Sequence, residues 1–387
     1  MRIRIQRLSI ALMCLIVGVV SMAVLVAQAP SSGATPPSTI TRGNTEAEVN
    51  AAAELARAEA ALEEWQAPRT AWGDPDLRGL WNTATYTPLE RPEELGAKAF
   101  YTEEEALTEF RNAADADATV DTRTMHYDWK EFGMEAWQSG ARPNLRTALI
   151  VDPDNGRLPP LTPEAQERRA AVAAAARERN PAISVRTFGN LYTRCVQGLG
   201  AVPLVSGGNP GADSAARAAG VTAEVLFFQS PGYVTIALQS NNDVRIVPLD
   251  GRPALPSHVR QWLGEPRGRW DGDTLVVETA NFIDKTPSTN FQGSTDALRV
   301  TERFTRVGPN TVRYEYTVTD PNTWTRPWSI DTLLPRVEPG TFYEFACHEH
   351  SYGLINVVTG TQIRERESNG VNASAGGPAT YPDYLLR

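Results

Sequence analysis

Cysteine and histidine are scarce in this chain, with three and four among 387 residues. Cys14 falls inside an N-terminal apolar run, which leaves Cys195 and Cys347 as the pair available for a disulfide. Basic runs are missing beyond residue 7, and the formal net charge is −9. A nucleic-acid binder carries the opposite sign, at least as a patch, so no nucleic-acid partner is expected. Also missing are a G-x-S-x-G elbow, a phosphate-binding P-loop and a G-x-G-x-x-G after a strand. Gly198-Leu199-Gly200 lacks both the third glycine and the helix that should follow. Serine hydrolase, NTPase and dinucleotide-binding readings therefore find no support, and no cofactor is implied.

Proline and glycine, by contrast, number 28 and 29, which favours turns and short elements over a helical bundle. Hydrophobic residues make up 41% and charged residues 21%, the balance of a folded globular protein with one large domain or two ordinary ones. The N-terminus carries the clearest local signal. Arg2, Arg4 and Arg7 precede an apolar run from Leu8 to Ala27, long enough to span a bilayer. Ala27-Gln28-Ala29 offers a cleavage site, although Pro30 follows it directly, and Ser32-Gly33-Ala34 is a second candidate. Residues 1–29 are thus expected to be a signal peptide or membrane anchor, and the remainder periplasmic or secreted. Membrane contact is expected through that segment alone. In an oxidising compartment the even pair Cys195 and Cys347 is expected to be a disulfide.

Residues 30–67 read as a Pro/Ser/Thr-rich linker and an alanine-rich helical stalk, opened by the capping box Thr45 and Glu48. Residues 68–190 form a mixed segment. It holds a first strand near Gly79-Leu80-Trp81, helices over Thr102–Ala114 and Thr162–Arg179, and an aromatic stretch from His126 to Gly140. Leu149–Thr162 reads as a strand, a turn at Asp154-Asn155-Gly156 and an extended proline segment. Residues 206–222 read as a polar loop. From Glu224 the pattern changes to short strands separated by turn residues, and residues 191–367 are expected to be an antiparallel β body with a tail over 368–387. Val312, Tyr314, Tyr316 and Val318 alternate with Arg313, Glu315 and Thr317, one face dry and one wet. Strands are expected over Phe342–His350 and Gly353–Glu365 as well. So many sequential antiparallel strands must hide their edges, and an up-and-down barrel fits the hairpin order. The fold class is therefore mainly β with helical insertions and a barrel-like body.

Gly79-Leu80-Trp81 resembles the triplet that opens the first strand of lipocalin-type barrels. That likeness implies a tryptophan packed beneath an arginine of the last strand, Arg364 or Arg366. Longer segments resemble a family of exported bacterial β-rich proteins: WLGEPRGRWDGDTLVVETANFIDKT (262–286), LRVTERFTRV (298–307), DPNTWTRPW (320–328) and YEFACHE (343–349). DLRGLW (76–81), LIVDPDNGRLPPLT (149–162), TRC (193–195) and QSPGYVTIALQSNNDVRIVPLDGRP (229–253) extend the resemblance over residues 72–367. It implies export and a β-rich body, and it brings no activity. The family pattern has Cys-His-Glu at 347–349 without the second histidine found here at His350.

Cys347-His348-Glu349-His350 is the most suggestive chemistry. On a strand, His348 and His350 share one face, half of a metal site that His126, His258 or a carboxylate would have to complete. No second ligand cluster sits at a recognisable spacing, and no metal is expected. Glu349 faces away from His348, so the two form an acid/base pair only if a bulge intervenes. Trp324, Arg326 and Trp328 combine aromatic surface with a polar head, the composition of a pocket wall. The expectation is a small, partly apolar ligand in a barrel cavity, lined by Trp324, Arg326, Trp328 and Glu302. One alternative is an envelope enzyme using His348 with Glu349, nearby carboxylates or Tyr352. The other is a structural or adaptor protein. An enclosed pocket favours the first two; a filled interior with an apolar outer patch favours the third.

Overall fold

The computed structural model describes residues 65–118, 144–177, 195, 202–205, 224–239, 242–283, 293–337, 342, 344–346 and 352–368. All lie in the second of two units, Asn44–Arg387. The segment 1–29, the helix opened by Thr45, the aromatic stretch His126–Gly140 and the loop 206–222 fall outside the described residues.

Among the described residues ten strands carry the fold: β1 (Gly79–Asn82), β2 (Ile150–Asp152), β3 (Glu224–Ser230), β4 (Tyr233–Leu238), β5 (Val244–Pro248), β6 (Glu265–Asp271), β7 (Thr274–Ala280), β8 (Arg299–Gly308), β9 (Thr311–Thr319) and β10 (Trp328–Pro335). They form two antiparallel sheets, a four-stranded one ordered β1-β3-β4-β5 and a six-stranded one ordered β2-β10-β9-β8-β7-β6. From β3 to β10, neighbours within each sheet are neighbours in sequence, as the turn residues imply. In the β6–β7 hairpin, Gly272 holds a φ of 61°, which a side chain would strain. The alternation of β9 is kept: Val312, Tyr314, Tyr316 and Val318 are buried between the sheets.

Among the described residues the strands form two sheets rather than one closed ring. The sheets touch along two borders. Trp81 bridges to Arg336, and the Val337 N–H donates to the Leu80 carbonyl at 2.9 Å. At the other border a Cβ on Gly268 would lie 2.6 Å from the side chains of Val247 and Leu249, so a glycine there lets β6 pass close to β5 and its turn. Trp81 is fully buried, and guanidiniums do cover it, though not those of Arg364 or Arg366. Arg336 lies 5.4 Å and Arg306 5.7 Å from its ring centre.

Helix α1 (Glu103–Ala118) opens on a reciprocal capping box. The Glu105 N–H donates to Thr102 Oγ1 at 3.2 Å, and the Thr102 N–H donates to the Glu105 carboxylate at 2.8 Å. Helix α2 (Pro163–Arg177) starts with proline at its first position, and the Ala165 N–H donates to Thr162 Oγ1. The expected final strand is corrected: residues Tyr352–Ser368 form helix α3. Leu354 and Val358, and Ile355, Thr359 and Ile363, recur four apart, and that helical spacing outweighs the β-propensity of single Val, Ile and Thr residues. The described part of 342–350 carries no strand either.

Candidate functional site

Six aromatic rings run through the space between the sheets. Phe227 of β3 meets Phe304 of β8 at 5.2 Å between centres, and Phe304 stacks on Tyr314 at 4.9 Å. Tyr314 neighbours Tyr316 at 5.7 Å, Tyr316 meets Trp328 at 5.8 Å, and Trp328 meets Trp324 at 5.6 Å. The row thus links Trp324 and Trp328 to the surroundings of Glu302.

Glu302 points inward from β8, between Val300 and Phe304, and is fully buried. Its partner comes from the opposite sheet: Arg245 of β5 donates to both carboxylate oxygens, at 3.1 Å to Oε1 and more closely to Oε2. The Tyr314 hydroxyl donates to Oε1 at 2.8 Å and itself accepts from the Leu204 N–H at 2.9 Å. Arg245 also reaches Thr279 Oγ1. Burial, followed by the charge of Glu302, pushes the phenols of Tyr314 and Tyr316 well above their ordinary range, so both stay protonated hydroxyls. The cluster is a bonded latch between the sheets whose charged groups are committed to each other.

Arg326, expected beside the tryptophans, instead stands half-exposed on the surface and pairs with Asp152 at 2.6 Å. A strand-end turn explains this: in DPNTW the buried carboxylate of Asp320 receives the Thr295 N–H (2.6 Å), the Asn322 N–H (3.0 Å) and the hydroxyls of Thr323 and Thr295. That turn directs Trp324 inward and leaves Thr325-Arg326-Pro327 outside. Tyr352 is the first residue of α3. His348, Glu349, His350 and Cys347 lie outside the described residues. The chain just before them is fixed, because Asn242 and Phe345 exchange two hydrogen bonds of 2.9 Å, placing Phe345 at the β4–β5 turn.

That turn adjoins a surface that sequence reasoning missed, the outer face of the four-stranded sheet. The strand registers align three rows across it. Asn82 and Glu224 share a polar row at whose end Gln239 follows β4; Leu80, Leu226, Ala237 and Val244 form the next; Phe228, Thr235 and Ile246 form the third. Phe228, Val244 and Ile246 are 53%, 51% and 60% exposed, whereas Asn82, Leu80 and Ala237 are buried. The signal lies in β5. Its two phases are Val244/Ile246 and Arg245/Val247, and β4 settles the choice by turning Val234 and Ile236 inward.

Among the described residues no three of His, Cys, Asp and Glu gather as a metal-ligand set. No helix there is long and apolar enough to cross a membrane. Comparison with protein-family models, curated proteins and solved structures finds no match.

Proposed function

We propose that this chain is an exported protein that binds a small, partly apolar ligand on its β body. The observation that carries this reading is the outer face of the four-stranded sheet, where Phe228 of β3 and Val244 and Ile246 of β5 stand half-exposed on either side of Thr235. Apolar side chains gathered on one sheet face support an interaction site there. The interior supports binding outside it, because Glu302, Arg245 and Tyr314 already satisfy one another. His348, which lies outside the described residues, is proposed from the sequence alone as a polar contact for the ligand. Membership of the exported β-rich family, and a barrel-like body, belong to the same proposal. The Trp81–Arg336 bridge and the close crossing at Gly268 support the latter.

Native mass spectrometry of the protein recovered from its own envelope tests the reading. The expected result is a co-purifying small molecule of fixed mass that His348→Ala releases without lowering the melting temperature. Bare protein from every preparation would overturn it.

Export also implies the Cys195–Cys347 bond, and Cys195 in disulfide form supports it. Non-reducing peptide mapping is expected to recover one cross-linked peptide containing both cysteines. Free thiols at both positions in freshly exported protein would remove this part of the proposal.

A further inference from the structure

We propose that the connection between β5 and β6 rests on a phospholipid surface, with Leu255, Val259 and Trp262 entering the headgroup boundary. This adds a second membrane contact to the one expected from the N-terminal run and is independent of the ligand-binding reading.

The connection runs from Leu249 to Gly264, and residues 250–259, 261 and 262 are all exposed. One residue gathers it into a loop. Asn281, at a φ of 56°, donates from Nδ2 to the Leu255 carbonyl at 3.2 Å and accepts the Gln261 N–H on its own carbonyl at 3.0 Å. The buried Glu265 carboxylate fixes this neck, receiving the Leu255 N–H and Asn281 Nδ2, each at 2.8 Å. Leu255 and Gln261, with Trp262 next in the chain, therefore meet at one neck, and Val259 stands on the short tip between them. Leu255, Val259 and Trp262 are 40%, 37% and 41% exposed.

The backbone separates this loop from an ordinary exposed one. Water could serve its polar groups, yet many are bonded within the protein. The Val259 N–H donates to the Pro256 carbonyl at 2.8 Å, the Gln261 carbonyl accepts from the Ile283 N–H at 3.0 Å, and Arg267 reaches the Pro253 carbonyl at 3.3 Å. Pro253 and Pro256 have no N–H to satisfy. A segment that leaves water for an interface needs such an arrangement. Charge points the same way. Residues 251–263 contain Arg252 and Arg260 and no carboxylate, in a chain of net charge −9; the acidic partners of these arginines, Asp250 and Asp296, lie outside that stretch. Anionic headgroups thus meet no carboxylate within it. The indole of Trp262, an apolar body with one N–H, suits the headgroup level. Area selects lipid over protein: the three side chains offer on the order of 250 Å², against about 800 Å² per partner in a stable protein–protein interface.

Vesicles of phosphatidylcholine and phosphatidylglycerol, with and without bromine on the upper acyl chain, test the proposal on the full chain. The emission of Trp262 is isolated as the difference between the wild type and Trp262→Phe, so attachment through the N-terminal run does not mask it. The chain is expected to float with the vesicles, and the Trp262 component to lose at least half its intensity on the brominated lipid. Val259→Asp, at an exposed position, should restore most of that intensity at an unchanged melting temperature; if it fails to fold, quenching of Trp262 still decides. A chain that stays out of the vesicles, or floats with Trp262 unquenched, overturns the proposal, as does full quenching in Val259→Asp. Cross-linking of residues 255–262 to an envelope protein, with vesicles left untouched, would overturn it in favour of a protein partner.

Discussion

Glu302→Leu lowers the free energy of unfolding by about 3–5 kcal/mol, because it takes from the buried Arg245 guanidinium the carboxylate that both its terminal nitrogens bind. The hydroxyl of Tyr314 loses its acceptor in the same step. Coulomb attraction does not set this size; what does is the penalty of a cation left in a medium that cannot solvate it. The effect therefore reverses when the cation goes too. Arg245→Met combined with Glu302→Leu replaces both charges by apolar volume and is expected to recover most of the loss. Urea unfolding of the two single variants and the double variant measures the cycle. A Glu302→Leu protein as stable as the parent would show that the pair does not hold the sheets together.

Asp320→Ala is the second large loss, expected at about 3 kcal/mol, since one buried carboxylate satisfies two backbone N–H groups and two hydroxyls. Its removal leaves the Thr295 N–H buried without an acceptor. The residues that follow, up to the start of β8, then lose their anchor to the β9–β10 connection. Asp320→Asn keeps one acceptor oxygen and is expected to cost about half as much. Hydrogen exchange resolves the mechanism: the Thr295 amide should exchange faster in Asp320→Ala, with the β6–β7 hairpin unchanged. Uniform acceleration across the sheet, or none at Thr295, would count against a local anchor.

The hairpins were legible because their turns are written in residues whose backbone preferences are strong. Asp271-Gly272-Asp273 and Gly308-Pro309-Asn310 are turn sequences, and each joins adjacent strands. Helix starts at Thr102 and Thr162 were legible for the same reason, because a cap is a local bond. Residues 352–368 misled because Val, Ile and Thr suggest strands one by one, while their spacing of four suggests a helix. Strand β10 was missed: the sequence reading stopped at Trp328, as part of a pocket wall, and pairing with β9 makes Trp328–Pro335 a strand. Glu302 was marked from sequence, and Trp324 and Trp328 do share its aromatic row. Arg245 was not marked, because an arginine between Val244 and Ile246 looks like the wet phase of an alternating strand. Its inward position is decided by β4, a neighbour the local pattern does not contain.

The inverted phase of β5 has a consequence for how the chain avoids misfolding. Sliding β5 by one residue against β4 would bury Val244 and Ile246 and expel Arg245, so a competing register exists that hydrophobicity alone would prefer. The native alignment is the one in which Arg245 finds Glu302 across the sheets. The ion pair thus works as a proofreading device that rejects the greasier alternative and leaves Val244 and Ile246 outside. In that view the apolar patch and the charged latch are two faces of one selection.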